Sequence, residues 1–170
     1  MVKAGCKYVQ VDEPLFARQV ADARSFGFEM LQHCFHGVPK EVCKIVHICC
    51  SYPNFLDEED YKKADPDSYH QLAHEMDQLN FDQISIEDAH CANNLKLLKL
   101  FEKKTIIFGT IAIARSRLES MEEVTGQIKV ALEHIDRDRL VIAPDFGLGF
   151  LSEELAAAKL DVMCRAAAQC

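Results

Sequence analysis

Apolar and polar positions alternate along this chain in two distinct periods. Five short runs rich in β-branched residues read as buried strands: Tyr8-Val9-Gln10-Val11, Ile45-Val46-His47-Ile48-Cys49, Gln83-Ile84-Ser85-Ile86, Thr105-Ile106-Ile107-Phe108 and Leu140-Val141-Ile142-Ala143. Between them lie longer stretches with helical spacing, such as Leu72, Met76 and Leu79, or Leu95, Leu98 and Phe101, or Leu155, Leu160 and Met163. The pattern is a βα unit repeated five times, which predicts a parallel α/β sheet with right-handed crossovers. One connection is long, from Ser51 to about Asp67, and reads either as a lid or binding loop or as a solvated acidic connector.

The totals narrow the picture. A chain of 170 residues with 49% hydrophobic residues can bury a sizeable core, and the reading is one domain over 1–170. A net charge of -8 excludes the basic stripe that neutralising a phosphate backbone requires, so no nucleic-acid partner is expected. No apolar run approaches the roughly 20 residues of a membrane span, and Met1-Val2-Lys3-Ala4-Gly5 opens no signal peptide, so the expected location is cytoplasmic. The eight cysteines are read as thiols, most of them, such as Cys6, Cys43 and Cys164, packing as small hydrophobes.

Residues of chemical type gather at the C-terminal ends of the strands. Val11 leads into Asp12-Glu13-Pro14, the second strand ends at His47 and Cys49, the third at Glu87-Asp88 and the fifth at Pro144-Asp145. In a parallel α/β fold these ends open on one face, where ligands bind. Residues two apart on a strand share a side, so His47 and Cys49 project together and make a chelate, with Glu87 the best-placed carboxylate to join them. Imidazole, thiolate and carboxylate are the donors zinc takes. Each feature has a plainer alternative: a strand-end His is often only hydrogen-bonded, and Asp12-Glu13-Pro14 also suits a helix N-terminus. Arg115-Ser116-Arg117 suits either an anionic substrate group or an ordinary surface. His33, His36, His70, His74 and His134 have no ligand spacing.

Taken in order, Val9-Gln10-Val11-Asp12-Glu13-Pro14, His47-Ile48-Cys49-Cys50-Ser51-Tyr52-Pro53, Ser85-Ile86-Glu87-Asp88 and Pro144-Asp145-Phe146-Gly147-Leu148 resemble the motifs of the catalytic domain of cobalamin-independent methionine synthase, through essentially the whole chain. The resemblance is closest to short, single-domain relatives. It implies a TIM (β/α)8 barrel and a zinc-dependent methyltransferase, similar to 5-methyltetrahydropteroyltriglutamate-homocysteine S-methyltransferases, that transfers a methyl group to a thiol such as homocysteine. It also implies zinc ligands at His47, Cys49 and Glu87, and substrate ammonium binding at Asp12.

Two departures stand out. The family's fourth zinc ligand is a cysteine where this chain has Phe146, leaving Cys50 or Cys91 as distant substitutes; Cys50 is expected to point away from Cys49. The family's His after the fourth strand of this chain corresponds to Ala114, which puts folate as methyl donor in question. A full barrel needs eight strands and about 250 residues, whereas five βα units are visible, matching by motif order the last five. The expectation is therefore a partial barrel, stabilised by homodimerisation through its open edges. The rival expectation is an inactive barrel homologue that binds a partner or thiol metabolite without turnover.

Overall fold

Five parallel strands lie side by side in chain order, β1 (Tyr8–Glu13), β2 (Cys43–Ile48), β3 (Gln83–Ile86), β4 (Thr105–Ile111) and β5 (Leu140–Pro144). The computed structural model describes residues 1–170 apart from Tyr52 and Pro66; the Tyr52 of the second motif and part of the predicted long loop therefore lie outside the described residues. Each run predicted as a strand is one. Parallel strands are covered on both faces, and β2 shows it: five of its six residues are buried and none is exposed.

Helices fill the crossovers. After β1 the chain bends and enters α1 (Val20–Asp22), continues through a π-helical turn over Ala23–Gly27, and completes α2 (Phe28–Cys34). The strand runs on through Glu13, so Asp12-Glu13-Pro14 is a strand end and not the start of a helix. Next come α3 (Ser68–Gln78), α4 (Met121–Leu132) and α5 (Glu153–Ala168). The Leu95, Leu98 and Phe101 spacing belongs to a 3-10 helix, Leu95–Leu100, rather than an α-helix. Two helices start on serine caps. The Ser120 Oγ accepts from the Glu123 N–H at 3.1 Å, the Ser152 Oγ from the Leu155 N–H at 3.2 Å, and acidic residues occupy both first turns.

The core lies mainly between the sheet and its helices. Val46 and Ile48 of β2, Ile84 and Ile86 of β3, and Ile106 and Phe108 of β4 pack with Leu72, Ala73 and Met76 of α3. A smaller cluster joins Ile111 to Val124 and Ile128 of α4 and to Val162, Met163 and Ala166 of α5. There Lys159 and Glu119 are buried as a pair: Lys159 Nζ donates to Glu119 Oε2 at 2.9 Å and to the Ala112 carbonyl at 2.9 Å, and the Ala112 N–H donates to Glu119 Oε1 at 3.2 Å. This network anchors α5 to the segment that leaves β4.

Candidate active site

Register sets the rim. Asp12 is level with His47, and His47 with Ser85, across β1, β2 and β3, while Cys49 and Glu87 each follow the last registered pair, Ile48 and Ile86. Alternation then sends Val46 and Ile48 into the helix-side core and brings His47 and Cys49 together on the wall of an open cavity of about 450 Å³. Asp12, Pro14, Ile113, Phe146, Gly147 and Phe150 also line it. The wall is polar at Asp12, His47 and Cys49 and apolar along Ile113, Phe146 and Phe150.

His47 is buried, and burial holds its imidazole below the ordinary pKa against the pull of Asp12. Its Nδ1 lies 2.9 Å from Ser85 Oγ, and its Nε2 is buried with no hydrogen-bond partner. With Nδ1 donating to the serine, Nε2 keeps a lone pair, the arrangement a metal-binding histidine uses. The Cys49 thiol is pushed up to about 11, first by burial and then by Glu87.

Glu87 is fully buried. Its Oε1 accepts from the Cys50 N–H and lies 3.4 Å from the Tyr69 hydroxyl; its Oε2 has no partner. Burial pushes its carboxyl up to about 8, against the Cys50 N–H. His47 and Cys49 therefore meet on the cavity, whereas Glu87 is not among the residues that line it. Among the described residues no three His, Cys, Asp or Glu side chains converge closely enough to hold a metal ion. The donors fit zinc in kind, in burial and in the two partnerless atoms, His47 Nε2 and Glu87 Oε2.

The ring of Phe146 lies edge-on to His47, with centroids 5.1 Å apart at 79°, and tilted against His90 at 6.4 Å. Cys50 is buried away from the cavity that Cys49 lines, as strand alternation requires. At Ala114 the backbone N–H donates to His90 Nε2 at 3.1 Å, and the carbonyl accepts from the Asp57 N–H at 2.8 Å. The long loop thus packs over the rim, where the Ser116 N–H also meets Asp57 Oδ1 at 2.7 Å. Arg117 turns outward and pairs with Glu123 of α4 at 2.7 Å.

Two residues were not singled out from the sequence. Asp145 was expected only as one more acid on the rim. It is instead buried, and its carboxylate accepts the backbone N–H groups of Asp88 (3.0 Å), Ala89 (3.1 Å) and His90 (2.6 Å), which shapes the turn after β3. Burial pushes its carboxyl up to about 7 against those three donors. His90 is not among the histidines weighed from the sequence; it is buried and drawn down to about 4, first by desolvation and then by Arg115 and Lys63.

A parallel βα sheet whose chemical residues line one cavity at the strand ends is the architecture of a barrel-type α/β protein with its site on the C-terminal rim. The family described as the catalytic domain of cobalamin-independent synthase matches residues 1–169, and the chain belongs to that family. It is 30% identical over 164 residues to a methionine synthase of Saccharolobus islandicus, covering 94% of this chain and 43% of that one. It is likewise 30% identical over 159 residues to a methionine synthase of Thermococcus kodakarensis, of which it covers 42%. The structure of a B12-independent methionine synthase from Shewanella sp. W3-18-1, in complex with selenomethionine, superposes with a TM-score of 0.84 at 26% identity, over 99% of this chain and 49% of that one. The chain thus spans less than half the length of these relatives, and its five strands correspond to part of a TIM barrel.

Proposed function

We propose that the rim cavity binds zinc through His47, Cys49 and Glu87 and transfers a methyl group to a thiol of the homocysteine type. The observation that carries this reading is the partnerless, buried Nε2 of His47 beside Cys49 and Asp12 in one cavity. Asp12 stands exposed at the mouth, its Oδ1 held by Gln10 Nε2 at 2.7 Å, and receives the substrate ammonium there. The selenomethionine in the Shewanella relative supports an amino-acid ligand of the methionine kind. Bound zinc supplies Lewis acidity that keeps a thiol as thiolate, the nucleophilic form, at neutral pH. The chain's part is to present a neutral imidazole fixed by Ser85, to give up the Cys49 proton on metal uptake, and to keep water from one side of the cavity with Ile113, Phe146 and Phe150.

The test is metal content by atomic emission after stripping and reconstitution, comparing the protein with His47→Ala, followed by a methyl-transfer assay with homocysteine and several methyl donors. Near-stoichiometric zinc in the first and little in the second is expected; equal, near-zero metal in both overturns the site. Phe146 against His47 favours a second reading, a homologue that binds a thiol metabolite without turnover. That reading predicts no methylated product from any donor, even from a Phe146→Cys variant that loads zinc.

A further inference from the structure

A second open cavity, of about 420 Å³, lies between the turn that leaves β1, the long loop and the start of α3. Arg18, Lys62, Lys63, Asp65, Ser68 and Gln71 line it. Three cationic residues thus share a wall with one acidic residue, in a chain whose net charge is -8. Among the described residues Arg18, Lys62 and Lys63 form no ion pair with a carboxylate, whereas Arg24, Arg117, Arg139, Lys159 and Arg165 all do. The wall is nevertheless held in place. Arg18 Nη2 donates to Ser51 Oγ, Lys63 Nζ donates to the His90 carbonyl at 2.6 Å, and the Ala64 N–H donates to the Cys50 carbonyl at 2.7 Å. These bonds fix the cations without neutralising them. A cleft lined by one sign of charge concentrates ligands of the other.

We propose that this cavity binds a small ligand through a doubly negative group, a phosphate monoester or a dicarboxylate, with Arg18 as its anchor. A planar guanidinium meets two oxygens of either group in parallel, and four of its five N–H donors remain after the bond to Ser51. Two negative charges on the ligand balance three cations and one carboxylate. The volume falls in the range of small-molecule sites rather than that of a single ion. The cavity shares no lining residue with the one that holds His47 and Cys49. The two are neighbours through Ser51, which takes the Arg18 bond and follows Cys49 by two positions. Binding here needs neither zinc nor methyl transfer.

The test uses the full chain, freed of metal with the uncharged chelator 1,10-phenanthroline and dialysed, so that its outcome is independent of the zinc site. Glycerol 3-phosphate, succinate and acetate are titrated calorimetrically at constant ionic strength and about pH 7.5, where a phosphate monoester carries nearly two charges. Saturable one-to-one binding of at least one dianion, tighter than that of acetate, is expected. The tighter of the two names the group the cavity takes. Arg18→Met is expected to weaken binding by at least about tenfold, the loss of a charged hydrogen bond, and Lys62→Met by a smaller factor. Arg165→Met, which breaks the exposed pair with Asp161 on α5, leaves it unchanged. No saturable binding of either dianion, affinity no better than that for acetate, or the same affinity in the protein and in both Arg18→Met and Lys62→Met overturns the proposal. So does an equal loss in Arg165→Met. Lys62 is exposed on the loop, so Lys62→Met decides if Arg18→Met fails to fold.

Discussion

The Asp145 carboxylate occupies the space that a side chain at Gly109 would fill. A Cβ at Gly109 would overlap Asp145 Oδ1 and come within 3.0 Å of the Asp145 Cα. The glycine sits mid-strand in β4, beside the irregularity in the β4–β5 register between Gly109 and Ile111, and lets the carboxylate cross the strand to the turn amides. Gly109→Ala is expected to cost about 2–3 kcal/mol, as overpacking of a closed site does, and to lower the melting temperature by several degrees. Gly126→Ala in α4, where a Cβ meets nothing within 4 Å, is the control; it is expected to gain up to about 1 kcal/mol of helix propensity. Equal effects of the two substitutions in thermal melts would contradict this account.

Asp145→Asn replaces one acceptor oxygen by a donor that faces a backbone N–H. Three N–H groups converge on the native carboxylate, so at least one is left unpaired, at about 1–3 kcal/mol. The loss should be accompanied by faster hydrogen exchange at Asp88, Ala89 and His90, with little change in α4.

The Lys159 and Glu119 pair is fully enclosed, at 0% and 3% side-chain exposure. Lys159→Met strands the carboxylate and is expected to cost about 3–5 kcal/mol. Glu119→Gln costs less, since its side-chain oxygen still accepts from Ala112 and Lys159. In a double-mutant cycle by urea denaturation the two losses should fall well short of additive; strict additivity would mean that the pair is not coupled.

Metal-free protein should lose stability as pH rises from 6.5 to 8. Glu87 faces Cys50, Tyr69, Cys91 and Asp145, and its folded pKa of about 8 stands above the ordinary 4.5. The folded chain keeps a proton there that the unfolded chain has released, so stability falls with pH until about 8. Asp145 acts in the same direction up to about 7. Below 6.5 the depressed imidazoles of His47 and His90 act oppositely, because unfolding lets them take protons. Above 6.5 the carboxyls dominate, with Glu87 alone contributing roughly 2 kcal/mol across the window. The Cys91 thiol, drawn down to about 7 first by Cys50, releases its proton earlier in the folded chain and offsets part of the loss. Denaturation curves in chelator should show this slope, and Glu87→Gln should remove most of it.

Phe146→Cys replaces the ring against His47 with a thiol on the same cavity wall. Zinc affinity, measured by competition with a chromophoric chelator, is expected to rise by at least about tenfold and to strengthen further with pH as thiols deprotonate. Unchanged affinity would show that residue 146 has no part in the metal site.

The strands could be read from the sequence because β-branched runs buried on both faces leave a strong mark, and the His47 and Cys49 pairing followed from alternation alone. The Leu95–Leu100 segment misled because a 3-10 turn and an α-helix share the same short apolar spacing. Asp145 was placed on the rim, as strand-end acids usually are, yet its partners are amides of a turn 55 or more residues away in sequence. The available signal was Gly109, an isolated glycine within a strand, which marks a bulge or a close approach. Glu87 was placed correctly along the chain, but whether its carboxylate reaches the cavity depends on the Cys50 amide and Tyr69, contacts that no periodicity encodes.

The bond from Asp145 to the turn after β3 passes over β4 and links next-nearest neighbours of the sheet. It acts as a clasp at the rim end of β5, while at the other end Arg139 donates to the carbonyls of Phe101 at 2.8 Å and Lys104 at 3.3 Å. The edge strand is thus pinned at both ends, and the cavity wall on that side opens only if the Asp145 clasp breaks.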